Sequence, residues 1–152
     1  MMSGFEFGTD GPHAIIVGVD GSETSLRAAA YAAGLARRQH TRLVAVFARG
    51  APWALLTLAD HTGLATRAEL DTQDQIEAQL RTELGRQARL WGVDARLEVR
   101  QGDPLGVLTE MADEVRADAV IVGSSRSLGH RVAGSLAVRL VRCGRWPVTV
   151  VP

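Results

Sequence analysis

Five short apolar runs alternate with four segments of helical periodicity, and that alternation constrains the fold more than any other feature of the chain. "HAIIVGVD" (His13–Asp20), "RLVAVFA" (Arg42–Ala48) and "ADAVIVG" (Ala117–Gly123) are nearly unbroken apolar runs, the pattern of strands covered on both faces. "VDARLEVR" (Val93–Arg100) alternates instead. Val93, Ala95, Leu97 and Val99 face one way, and Asp94, Arg96, Glu98 and Arg100 face the other. This strand is expected at a sheet edge, where its charges deter aggregation. "WPVTVVP" closes the chain as a fifth strand. Strands separated by helices are joined by crossovers, so the expected fold class is α/β: a doubly wound, five-stranded parallel sheet with helices on both faces.

The helical segments carry their own start and stop signals. Ser22 is placed to cap the first helix, with Glu23 in its first turn and Leu26, Ala29, Ala30, Ala33 and Ala36 at helical spacing. Arg49 to Thr66, which includes Pro52, Trp53 and Gly63, has no clean period and reads as a connection with a helical turn. Leu70, Ile76, Leu80, Leu84, Ala88 and Trp91 then form a stripe about four residues apart, read as core and stopped by Gly92. Asp103 and Pro104 open a third helix, whose buried face is expected to be Leu105, Leu108, Ala112 and Val115. A short fourth helix is expected from Ser135 to about Arg142. The 152 residues suit one core. The expected organisation is a tail over residues 1–12 and an α/β domain over residues 13–152.

Composition removes whole classes of function. All 17 basic residues are Arg, balanced by 17 acidic ones. A field strong enough to draw in nucleic acid or an acidic membrane is not expected. The lack of lysine excludes Schiff-base and P-loop chemistry; the Arg- and Ala-rich usage is that of a GC-rich genome. A lone Cys143 excludes an internal disulfide and a cysteine metal cluster, and is read as a buried structural thiol. His13, His40, His61 and His130 are scattered without ligand spacing. The start is acidic and lacks the apolar stretch of a signal peptide, and no run approaches the roughly 20 apolar residues of a membrane span. The expected setting is cytoplasmic.

In an open α/β sheet, ligands bind beyond the carboxyl ends of the strands, where the strand order reverses. Two strand tips would meet there if the first strand lies between the second and the fourth. One is Asp20-Gly21-Ser22; the other is Gly123 and the loop "SSRSLGHRVAGS" that leads to the last helix. An acid, glycine amides and a helix start at one crevice suit a nucleotide, with phosphates at Ser135. "GHRVAGS" is like a Walker loop without its lysine, and Gly18 and Gly21 in "VGVDGSE" are wrongly spaced for a dinucleotide fingerprint.

At this point the chain resembles the universal stress proteins. The resemblance runs from about His13 to Pro152. It rests on "IIVGVDGSETSLRAAAYAAGLA", "GDPLGVLTEMADEVRADAVIVGSS" and "GSLAVRLVRCGRWPVTVVP". It implies sheet order 3-2-1-4-5, homodimers, a stress-linked cytoplasmic role, and binding of ATP or another adenine nucleotide in many members, with Mg only alongside ATP. The family loop is Gly, two residues, Gly, nine residues, Gly-Ser/Thr. Gly123 matches its start, and Gly134 and Ser135, followed by Leu136, match its end. Arg126 stands where the second glycine belongs, only seven residues separate it from Gly134, and Ala137 replaces a frequent serine. Asp20 matches the family's acid after the first strand, and Ala48 falls near where the adenine pocket is lined. Arg126 approaches phosphate poorly through its backbone, yet Arg126 and Arg131 offer guanidinium groups in place of amides.

Each of these residues also has a plain structural reading. Gly134-Ser135 serves as a turn and cap, Asp20 as a partner for nearby amides, Gly123 as a turn, and the two arginines as solvated loop residues. Trp53 suits a lid, a core position or an interface equally. No nucleophile–base pair is visible, so binding rather than catalysis is expected, with weak ATP hydrolysis the least favoured alternative. Val148, Thr149, Val150 and Val151 carry no charge on what would be the second edge. An undefended edge is usually paired, here with a second copy of the chain. The reading is an adenine-nucleotide-responsive homodimeric regulator with an unidentified protein partner; the alternative is a dimeric interaction module that binds no nucleotide.

Overall fold

The computed structural model describes residues 11–50, 64–124 and 136–152. Its elements are β1 (Ala14–Gly18), α1 (Glu23–Gln39), β2 (Arg42–Arg49), α2 (Leu64–Trp91) and β3 (Ala95–Gln101). They continue with α3 (Pro104–Val115), β4 (Ala119–Gly123), α4 (Leu136–Cys143) and β5 (Val148–Val151). The strands form one parallel sheet in the order β3-β2-β1-β4-β5, as the alternation and the resemblance predict. The expected tail falls mostly outside the described residues.

Central β1 explains why the first apolar run is unbroken. Ala14, Ile15, Ile16 and Val17 are fully buried, alternating between two cores. Ile16, Val44, Val46 and Val120 pack with Met111 of α3 and Leu140 of α4 on one face. Ile15, Val17, Leu43 and Ile121 pack against Ala28, Ala32 and Ala36 of α1 on the other, where Leu80 of α2 joins them. Burying an aliphatic side chain of this size contributes about 1.5–3 kcal/mol, so a polar residue at any of these positions opposes the fold strongly.

The edge assignments hold. β3 pairs only with β2, and its second face carries Arg96, Glu98 and Arg100. Arg100 forms a two-pronged ion pair with Glu114 of α3, at 2.7 and 2.8 Å. β5 pairs with β4 at the opposite edge.

Four expectations are corrected. The buried stripe of α1 is Ser25, Ala28, Ala32 and Ala36, whereas Leu26 is 42% exposed. Alanines on nearly every side of this helix gave no unique face, and its angle over the sheet selected one. α2 begins inside the segment read as a connection, at Leu64. Its Leu80 is core, but Trp91 at the far end is 53% exposed because the helix outruns the sheet it covers. Leu105 is only partly buried at the start of α3. Cys143 is exposed, because Leu140 supplies the buried contact of short α4 and Cys143 points elsewhere at its end.

Candidate functional site

The carboxyl end of β1 turns into α1 through Asp20, Gly21 and Ser22. Val19 still donates to the Val46 carbonyl at 2.9 Å, so the tip is fixed to β2. The Ser22 amide donates to Asp20 Oδ1 at 2.9 Å, closing a tight local turn. Ser22 Oγ then accepts from the Ser25 amide at 3.2 Å and caps α1. Ser25 Oγ donates to the Ser22 carbonyl at 3.0 Å, and the Asp20 amide reaches Ser25 Oγ at 3.2 Å. Gly21 has φ +81°, and a Cβ there would lie 3.1 Å from Ile76 Cγ2 of α2. Both facts require glycine.

Asp20 keeps its carboxylate at the exposed tip. Partial desolvation pushes its pKa up, but hydrogen bonds from Ser22, Ser25 and its own amide outweigh that and hold it below its ordinary value. The group is an ionised, acceptor-only carboxylate at neutral pH.

The tips of β1 and β4 are brought together, as the switch-point argument predicts. Gly123 ends β4 against the first turn of α1. A Cβ on it would lie 2.6 Å from the Thr24 carbonyl carbon and oxygen and 2.9 Å from the Ser25 nitrogen. The missing side chain lets α1 start directly on the β4 tip. Ser124 continues the pairing, donating to the Val151 carbonyl at 2.7 Å. Ala48 and Leu136 are partly buried against the α3/α4 core, beyond the strands on that face. Arg126, Arg131, Gly134 and Ser135 lie outside the described residues, as does Trp53.

Sequence reading missed Arg49. Its guanidinium clamps the end of β2 to α2: Nε donates to Gln73 Oε1 at 3.2 Å, Nη1 to Glu77 Oε2 at 3.0 Å, and Nη2 pairs with Asp74 Oδ1 at 2.7 Å. Gln73 is buried beneath it. Desolvation lowers the pKa of Arg49, but Asp74 and Glu77 outweigh it and raise the value. Arg81 and then Arg49 pull Glu77 below its ordinary value. The run Gln73-Asp74 with Glu77 was the available signal, on the face of α2 opposite the apolar stripe. The clamp holds Ile76 over Gly21 and so supports the tip from the side.

The outer edge is a second candidate surface. Val150 on β5 is 43% exposed, and Val138 and Val141 of neighbouring α4 are 39% and 58% exposed. Among the described residues, no group of three His, Cys, Asp or Glu side chains is placed to hold a metal ion, and no helix is long and apolar enough to cross a membrane.

Comparison with known proteins agrees with this architecture. The family model described as the universal stress protein family matches residues 12–152. A universal stress protein of Methanocaldococcus jannaschii is 26% identical over 145 residues, covering 90% of this chain and 80% of that one. A crystal structure of a universal stress family protein from Burkholderia pseudomallei superposes with a TM-score of 0.73 at 25% identity, covering 92% of this chain and 96% of the other. A universal stress protein crystallised in complex with cAMP superposes with a TM-score of 0.62 at 26% identity, covering the same shares of the two chains.

Proposed function

We propose that this chain, which belongs to the universal stress protein family, is an adenine-nucleotide-responsive regulator that works as a cytoplasmic homodimer. The observation that carries the reading is Asp20. It is an exposed, ionised carboxylate on a rigid turn where the tips of β1 and β4 converge. An acceptor of that kind suits a ribose hydroxyl or an adenine amine. A related structure holding cAMP supports the same ligand class. Gly21 and Ser22 would line the base and sugar side with Ala48 nearby. Gly123, Gly134, Ser135 and Leu136 would lead to the phosphates, with Arg126 and Arg131 neutralising their charge. Mg would enter only with ATP. Bound nucleotide supplies a polyanionic group whose presence a partner protein can read. The chain is proposed to bind and signal rather than turn over substrate.

The test is to denature protein purified without added nucleotide and analyse the released small molecules. Thermal-shift titration with ATP, ADP, AMP and cAMP extends it. Release of an adenine nucleotide, and a melting shift lost in Asp20→Ala, are expected. No release and no shift with any of the four would overturn the nucleotide reading.

A second reading is favoured by the loop itself: a dimeric interaction module without nucleotide. Gly123 is committed to the approach of α1, and Arg126 with a shortened loop replaces the family's glycine spacing.

The dimer is supported by the contrast between edges. β3 is defended by Arg96, Glu98 and Arg100, while β5 offers Val148, Thr149, Val150 and Val151 beside exposed Val138 and Val141. Pairing β5 with its two-fold mate would cover that edge. Val150→Glu should yield monomers or insoluble protein by sedimentation. A soluble, stable dimer from that variant would sink the assignment of the edge.

A further inference from the structure

Between α1 and α2, over the β2/β3 part of the sheet, the fold leaves an apolar cavity of about 510 Å³. Leu26, Ala30 and Ala33 of α1 face Leu80 and Leu84 of α2 across it, with Leu97 of β3 at its floor. It exists because this side of α1 is built from alanine and glycine, which leave the space between two helix backbones unfilled. Protein interiors ordinarily close to crystal-like density, and a void of this size falls within the roughly 300–1,000 Å³ of ligand pockets.

One end of the cavity is polar. It lies where the carboxyl ends of α1 and α2 meet, at the opposite end of the sheet from Asp20. Arg37 sits there with its guanidinium carbon 5.7 Å from the centre of the Trp91 ring. Trp91 is oriented by its indole nitrogen, which donates to Gln87 Oε1 at 2.6 Å. Glu83 lines the same wall but is engaged by Arg86 and Gln87. Arg37 has no carboxylate partner among the described residues.

We propose that this cavity binds an amphipathic monocarboxylate, with its hydrocarbon chain between α1 and α2 and its carboxylate on Arg37. The walls provide apolar surface and almost no competing polar groups. A guanidinium is the side chain best shaped to receive a carboxylate through paired hydrogen bonds. The site is separate from the proposed nucleotide site and does not depend on it.

The test uses the full chain and the series octanoate, decanoate and dodecanoate, each below its micelle concentration, titrated by calorimetry. Affinity should rise roughly tenfold for each two methylenes added until the cavity is full. Arg37→Gln should weaken dodecanoate at least about tenfold and leave dodecanol unchanged, since only the acid uses the cation. Ala30→Trp, on the exposed side of α1, should abolish binding of both without unfolding the protein. Saturating ATP should not compete. The assignment is overturned by any of three results: no binding in the series, affinity unaffected by both variants, or binding that appears only when residues 1–12 are removed. The last result would make the amino-terminal segment the occupant.

Discussion

β1 has an aspartate at each of its ends, and the two differ in how far their hydrogen bonds reach. At the amino end Asp118 reaches across from the start of β4. Its Oδ2 accepts from the His13 amide at 2.7 Å and the Ala14 amide at 3.1 Å, while its own amide donates to the Ala14 carbonyl at 2.8 Å. Those bonds join residues more than a hundred positions apart. At the carboxyl end Asp20 bonds only within its own turn, to Ser22 and Ser25. Asp118 is thus consumed in closing the sheet, whereas Asp20 is positioned by short-range bonds and left facing solvent. A carboxylate committed to distant backbone serves the fold; one held locally at a strand tip is available to a ligand.

The comparison can be broken at four points. The largest effect is expected where the carboxyl end is tightest. Gly123→Ala places a methyl within 2.6 Å of the α1 backbone and should cost about 1–3 kcal/mol in a urea melt, because Thr24 cannot yield without moving the helix. Stability equal to the parent would mean that α1 is not seated on the β4 tip. Asp118→Ala strips two amides of a charged acceptor, one of them on fully buried Ala14, and should lose about 2 kcal/mol with no change in nucleotide response.

Asp20→Asn should show the reverse pattern, with little change in melting at pH 7 and loss of the nucleotide shift. Its acid behaviour sharpens the contrast. The folded pKa of Asp20 lies below its ordinary 3.8, so folding favours the ionised form. The resulting stability is present above the ordinary value and disappears as pH falls through the lowered one. Melting temperature should therefore fall less steeply below about pH 4 in Asp20→Asn than in the parent. An unchanged acid limb would show that the turn does not favour the ionised carboxylate. The smallest effect is expected at Thr41, near the amino end, whose buried hydroxyl has no hydrogen-bond partner. Thr41→Val should leave stability unchanged or raise it by a few tenths of a kcal/mol, read as a small upward shift in Tm.

The sheet was legible because strand burial leaves a direct trace. β1, β2 and β4 are unbroken apolar runs because helices cover both faces, and β3 alternates because one face meets ion pairs and solvent. The Ser22 and Asp103 caps were equally plain, since each needs only its own first turn. Asp20, Gly21, Ser22 and Gly123 could be placed near one another once the strand order was inferred. The reason for Gly123 could not. Its constraint is the backbone of Thr24, about a hundred residues away, and nothing local distinguishes such a glycine from one that frees an amide for phosphate. Arg49 was missed for the same reason, because its three partners lie on a helix that had been assigned to start later.

What the amino-acid sequence determined by itself is the order of elements, the two-sided burial of the central strands, the charged edge at β3 and the bare edge at β5. These follow from hydrophobic periodicity and local hydrogen bonding, which act over a few residues. The tertiary structure alone decided which face of α1 is buried, how far α2 extends past the sheet, the clamp of Arg49 and the cavity beside Arg37. Those depend on how two helices rich in small or long side chains settle against one sheet face. An alanine-rich helix offers several nearly equivalent faces, so the docking angle, and not the pattern, sets what is covered and what is left open.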